Sequence, residues 1–179
     1  MTMRLTIVGC GDAFGSGGRF NTCFKIDARP ATILLDCGAS SLVALKAHHI
    51  DPNAIDAIVL SHLHGDHFGG LPFLLLDAQL LSRRTRPLVI AGPPGTRARL
   101  DAALEVLFPR STNTAWHFAW EVKEIPPFTN CRAYGRDRRG RASLGRPVNG
   151  GAPRRWRARV GLFRGHAMDR GTALDRTRR

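Results

Sequence analysis

A chain of 179 residues is long enough to bury the core of one ordinary domain. It has no run of about 18 apolar residues, so no membrane span is expected. Its net charge of +13 suggests a nucleic-acid partner, but the distribution of that charge is uneven. Residues 1–130 carry twelve Lys/Arg against eleven Asp/Glu, a net of +1, whereas residues 131–179 carry fifteen arginines against three aspartates, a net of +12.

The start, MTMRLTIVGCGDAFG, has a short apolar run before a glycine-rich turn and reads as a first strand rather than a secretory signal. Strands are expected at 4–9, 21–27 and 31–36, short apolar or alternating runs bounded by Gly and Pro. Residues 41–50 follow a helical pattern through Leu42, Leu45 and Ile50, with Ser40 or Ser41 placed as a cap. Residues 54–61 form a buried strand, and 71–85 are helical in length and pattern, with Pro72 tolerated in the first turn. A strand at 87–92, an amphipathic helix at 96–108 and an alternating strand at 115–125 complete this part. The loop GCGDAFGSGG resembles a dinucleotide-binding turn only superficially. Phe14 occupies the place of the last glycine and no helical pattern follows, so a flexible loop near the cleft is expected.

After Asn130 the pattern changes. The last 49 residues contain no Lys, Glu or Ile, and hydrophobic periodicity disappears. The chain thus divides into a folded α/β part at 1–130 and an irregular Arg/Gly-rich basic tail at 131–179, disordered or frame-shifted. Cys10, Cys23, Cys37 and Cys131 form no CxxC pair, which fits reduced thiols and a cytoplasmic location.

The densest chemistry lies in SHLHGDHFGG, residues 61–70. Residues at i and i+2 leaving a strand point the same way, so His62 and His64 can share one cation. Asp66 and His67 follow one turn later and can reach a neighbouring one. Gly65 is expected to permit the tight path between the pairs. Imidazole and carboxylate donors together suit Zn²⁺, with Mn²⁺ or Fe as alternatives. His48, His49, His117 and His166 lie in no comparable cluster.

SHLHGDHFGGLP resembles the signature loop of the metallo-β-lactamase superfamily, and its Gly-Leu-Pro continuation resembles the ribonuclease Z-like branch. VGCGDAFGSGGRFNT, LLDCGAS and IAGPPGT agree, so the likeness runs from residue 3 to about 125. It implies the N-terminal half of an αβ/βα sandwich. His62 and His64 would bind a first metal and Asp66 and His67 a second, while Asp36 would accept a hydrogen bond that orients a liganding histidine. It also implies a metal-dependent hydrolase in which hydroxide held between the metals attacks a phosphodiester or ester, with Asp66 orienting that hydroxide.

Complete members of the family add a third histidine, a bridging aspartate in a Gly-Asp-Thr-like segment and a further histidine. None of those segments stands after residue 70. Read one base later, however, the codons of Ala142 to Val148 are compatible with His-Pro-Ser-Gly-Ala-Pro. Those of Arg164 to Leu174 are compatible with Gly-Asp-Thr-Gln-Trp-Thr-Glu-Ala-Leu, and Met168 followed by Asp169 forces the tryptophan. The sequence therefore predicts a chain that leaves its ancestral frame near residue 131, is truncated, holds one metal loosely and hydrolyses poorly. It also predicts an apolar sheet face left uncovered. The alternative is a non-catalytic metal-binding domain whose basic tail binds RNA through phosphate contacts.

Overall fold

In the computed structural model, which describes residues 3–126 and the backbone of 135–136 and 142–143, the first alternating run forms β1 (Met3–Gly9). It pairs antiparallel with β2 (Cys23–Ala28), which pairs antiparallel with β3 (Ala31–Leu35). From there the sheet continues in parallel through β4 (Ala57–Val59), β5 (Leu88–Gly92) and β6 (Trp120–Glu124), in the order β1 to β6. The crossovers contain α1 (Ser41–Ala47), then the single turn α2 (Gly65–Phe68) with α3 (Leu71–Leu80), then α4 (Thr96–Leu107). Right-handed crossovers that all step in one direction must place these helices on one face of the sheet.

The core lies under those helices. Leu34, Ile58 and Ile90 stand side by side in register and are fully buried against Leu45, Leu71, Leu75 and Leu100. Each such side chain contributes about 1.5–3 kcal/mol through burial. The other face carries Leu5, Ile26, Ile33, Ala57 and Val89 in one row. There β1 leaves Met3, Leu5 and Ile7 60–69% exposed, an unusual load of apolar surface for an edge strand.

The element boundaries shift where tertiary contacts override local pattern. The helix expected over 71–85 stops at Leu80 because the backbone N–H groups of Leu81 and Ser82 both turn back to the Asp77 carbonyl. This frees Arg84 to enter the core, where all five guanidinium N–H groups donate to backbone carbonyls of Pro52, Asn53, Ile55, Arg86 and Pro87. Arg84→Met would strip those carbonyls of their guanidinium donors, the buried Ile55 carbonyl among them. Urea melts should show a loss of about 3 kcal/mol or more, and a loss below about 1 kcal/mol would contradict this role. The strand expected over 115–125 begins only at Trp120. Upstream, the Gln79 amide holds the Ala115 carbonyl and the His117 N–H, which lays Trp116 edge-on against Phe118 and Trp120.

The loop after β1 is laced together by Asp12, whose carboxylate accepts from the Phe14 and Ser16 N–H groups and the Ser16 hydroxyl. Three bonds to the charged form hold Asp12 down at about 2. Cys10, Cys23 and Cys37 are free thiols, and burial raises Cys23 to about 11. Among the described residues no helix is long and apolar enough to cross a membrane. The expected tail at 131–179 lies outside the described residues apart from β7 (Gly135–Arg136) and β8 (Ala142–Ser143), which pair antiparallel.

Candidate metal centre

The site is built where the parallel strands β3 and β4 end side by side. Leu35 pairs with Val59, so the residues that follow, Asp36 and Ser61, emerge next to each other. Asp36 takes a left-handed backbone conformation, φ 60°, which its short polar side chain tolerates, and it is almost fully buried. Its carboxylate accepts from the Ser61 N–H at 2.7 Å on Oδ1 and from the Ser61 hydroxyl at 2.9 Å on Oδ2. His67 Nδ1 lies 2.8 Å from the same Oδ2. A carboxylate offers no proton to an imidazole nitrogen, so Nδ1 donates and Nε2 keeps its lone pair.

His64 caps α2 from an extended conformation, and its carbonyl accepts from the N–H groups of His67 and Phe68. That one turn swings Asp66 and His67 back toward His62. The ring centroids of His62 and His67 are 4.0 Å apart, and those of His62 and His64 4.7 Å apart. One donor atom each from His62, Asp66 and His67 lies within 4.8 Å of the others, and His64, beside His62 but more exposed, contributes no atom to that triangle. The one-turn helix after His64 thus brings Asp66 and His67, expected one turn further on, beside His62.

The chemistry of this donor set fits a divalent cation. His67 Nε2 and Asp66 Oδ2 stand 3.2 Å apart, an imidazole nitrogen and a carboxylate oxygen of the kinds that ligate Zn²⁺. Burial first, then the neighbouring His67 and His64, hold His62 below the ordinary histidine value and keep it in the neutral, ligating form. Asp36 sits behind the triangle, touching a histidine that would hold the cation rather than the cation itself.

Two features were not legible as function. Ser61 carries no metal-ligand signal of its own, and the cue to it is its position immediately beyond a parallel strand pair that ends at Asp36. The glycine requirement also falls elsewhere than expected. A Cβ on Gly65 would meet nothing within 4 Å, and the backbone there is not left-handed, so the tight path does not depend on it. Gly38 and Gly70 are the positions under steric demand. A Cβ on Gly38 would fall 2.0 Å from the Asp66 carbonyl oxygen, and one on Gly70 would fall 2.1 Å from that of Gly38.

The family model described as Anti-Pycsar protein Apyc1 matches residues 3–105. The ribonuclease Z of Clostridium beijerinckii is 36% identical over 97 residues, 54% of this chain and 31% of that protein. The ribonuclease Z of an Exiguobacterium species is 35% identical over 120 residues, 67% of this chain and 37% of that protein. The crystal structure of the short form of human tRNase Z superimposes with a TM-score of 0.59 at 30% identity, covering 70% of this chain and 45% of that one. The chain thus spans about a third of the length of the curated relatives it matches.

Proposed function

The chain belongs to the Anti-Pycsar protein Apyc1 family and is a ribonuclease Z-like member of the metallo-β-lactamase superfamily, and from that premise we propose that it is a metal-dependent phosphodiester hydrolase. The observation that carries the reading is the triangle of His62, Asp66 and His67 donors with Asp36 locked behind His67. His62, Asp66 and His67 would hold the cation, with His64 completing the set from its position beside His62. A divalent cation at this position supplies Lewis-acid stabilisation of oxygen anions and acidifies bound water. Asp66 accepts the proton of the attacking water at its carboxylate. Asp36 keeps His67 in the tautomer that ligates. The relatives named ribonuclease Z act on RNA by that name, which favours a phosphodiester over a carboxyl ester as the bond broken here.

Among the described residues the donors come from one short loop and are fewer than a complete two-metal site of this family uses, and on that set alone one loosely held cation and slow turnover are expected. The full chain, loaded with Zn²⁺ or Mn²⁺, should hydrolyse bis(p-nitrophenyl) phosphate slowly, lose that activity to EDTA and regain it on metal addition. Asp66→Ala should lower the rate about 100-fold or more, in line with the loss of a positioned proton acceptor. Failure to retain any divalent cation at micromolar concentration, or hydrolysis indifferent to EDTA, would overturn the proposal.

A further inference from the structure

We propose that Ser61 is a positioning residue that fixes the tautomer of His62, so that one carboxylate oxygen, Asp36 Oδ2, sets the ligating nitrogens of two histidines. This inference rests on the metal-centre reading above and extends it to a residue with no assigned part in it.

The argument is a count of protons. The Ser61 hydroxyl has one proton and two neighbours within hydrogen-bond distance, Asp36 Oδ2 at 2.9 Å and His62 Nδ1 at 3.0 Å. The carboxylate oxygen can only accept, so both contacts are hydrogen bonds only when the hydroxyl proton points at Asp36. A lone pair of Oγ then faces His62 Nδ1, and the contact is a hydrogen bond only if Nδ1 carries the ring proton. That places the proton on Nδ1 and leaves Nε2 bare, the same outcome that Asp36 imposes on His67 directly. The separation of 3.5 Å between Ser61 Oγ and His67 Nδ1 is too long to compete. The relay runs from His62 Nδ1 through Ser61 Oγ to Asp36 Oδ2, and His67 Nδ1 reaches the same oxygen.

The backbone supports this division of labour. Asp36 Oδ1 is occupied by the Ser61 N–H at 2.7 Å, a contact that does not depend on the side chain. Loss of the hydroxyl therefore leaves the strand ends joined and Asp36 Oδ2 still held by His67 Nδ1, while it removes the hydroxyl's own bond to that oxygen and with it the link to His62. Without that link, His62 is free to take the Nε2–H tautomer that unconstrained histidine favours, in which the ligating nitrogen is blocked. Outer groups that orient metal-binding histidines in this way typically change metal affinity by 10–100-fold.

The test uses the full chain with Ser61→Ala and Ser61→Thr, the latter keeping an Oγ. Long-range ¹H–¹⁵N histidine spectra of the metal-free protein read the tautomer of each ring directly. The expected result is Nδ1–H at both His62 and His67 in the parent and in Ser61→Thr, and a shift to Nε2–H at His62 alone in Ser61→Ala. Competition for Zn²⁺ against a chromophoric chelator should then show affinity reduced about 10–100-fold in Ser61→Ala and restored to within a few-fold by Ser61→Thr. An unchanged His62 tautomer in Ser61→Ala would overturn the proposal, as would a tautomer shift at both histidines together, which would report general loosening. If the parent chain shows the Nδ1–H pattern but holds no zinc, the relay stands and the metal-centre reading fails, so the two are separable.

Discussion

Gly38→Ala is expected to lower zinc affinity about 100-fold or more, whereas Gly65→Ala, inside the histidine motif itself, should leave it within a few-fold of the parent. The inversion follows from what each new methyl group would meet. At Gly38 the nearest atoms are the carbonyl oxygen and carbon of Asp66, at 2.0 and 2.6 Å, with Asn21 Cβ also at 2.6 Å. Backbone cannot rotate out of the way as a side-chain tip can. The segments on either side are tied together, with the Cys37 N–H donating to the His67 carbonyl at 2.7 Å and the Gly70 N–H to the Cys37 carbonyl at 2.9 Å. To bring the Cβ contact from 2.0 Å to an acceptable 3.0 Å, Asp66 must move by about 1 Å, and His67 must move with it. Displacement on that scale at a reacting centre costs about 100-fold in rate, a like loss of affinity is expected where two of three donors to one cation move together, and the accompanying overpacking costs about 1–3 kcal/mol of stability. Chelator competition and urea melts on the two variants make the comparison. Equal zinc affinity in Gly38→Ala and Gly65→Ala would show that the packing of the two segments does not govern the site.

The same contrast explains what could be read from the sequence. The donor residues are chemically conspicuous, and their crowding into 62–67 marks a candidate metal loop in the sequence itself. The strand β5 was equally plain, because it is a continuous apolar run and a parallel strand buried on both faces needs one. The close approach of Gly38 to Asp66 was hidden because it joins residues far apart in the chain, and a glycine gives no sign of which neighbour requires it. The turn between the two pairs of donors is also visible only in outline: spacing places Asp66 and His67 one turn beyond His64, and the one-turn helix that starts at Gly65 brings both side chains beside His62. Arg84 was unreadable in the same sense: a lone arginine after a leucine-rich helix looks like a solvated end, and only the carbonyls of Pro52, Asn53 and Ile55 give it a buried place.

Asp36→Asn should retain the fold yet lose most of the metal binding, because it changes proton bookkeeping with almost no change in shape. The left-handed backbone at φ 60° suits an amide as well as a carboxylate. The carboxylate, however, accepts at both oxygens: the Ser61 N–H at 2.7 Å on one, the Ser61 hydroxyl and His67 Nδ1 at 2.9 and 2.8 Å on the other. An amide has one acceptor and one donor end. If its oxygen faces the Ser61 N–H, its NH₂ group confronts His67 Nδ1 and the serine hydroxyl. His67 can then satisfy it only by accepting at Nδ1, which puts the ring proton on Nε2, the atom that faces Asp66 Oδ2 at 3.2 Å. If the amide is turned the other way, two donors meet at the Ser61 N–H. The first orientation is the less costly, and it blocks the ligating nitrogen. Unfolding free energy should fall by about 1–3 kcal/mol from the imperfectly satisfied buried group. Zinc affinity should fall about 10–100-fold, the range found when an orienting partner of a metal-bound histidine is removed. Histidine ¹⁵N spectra should show the proton of His67 moved to Nε2. Parent-like zinc affinity with His67 still protonated at Nδ1 would mean that Asp36 does not set the tautomer, and the arrangement behind the triangle would then be structural alone.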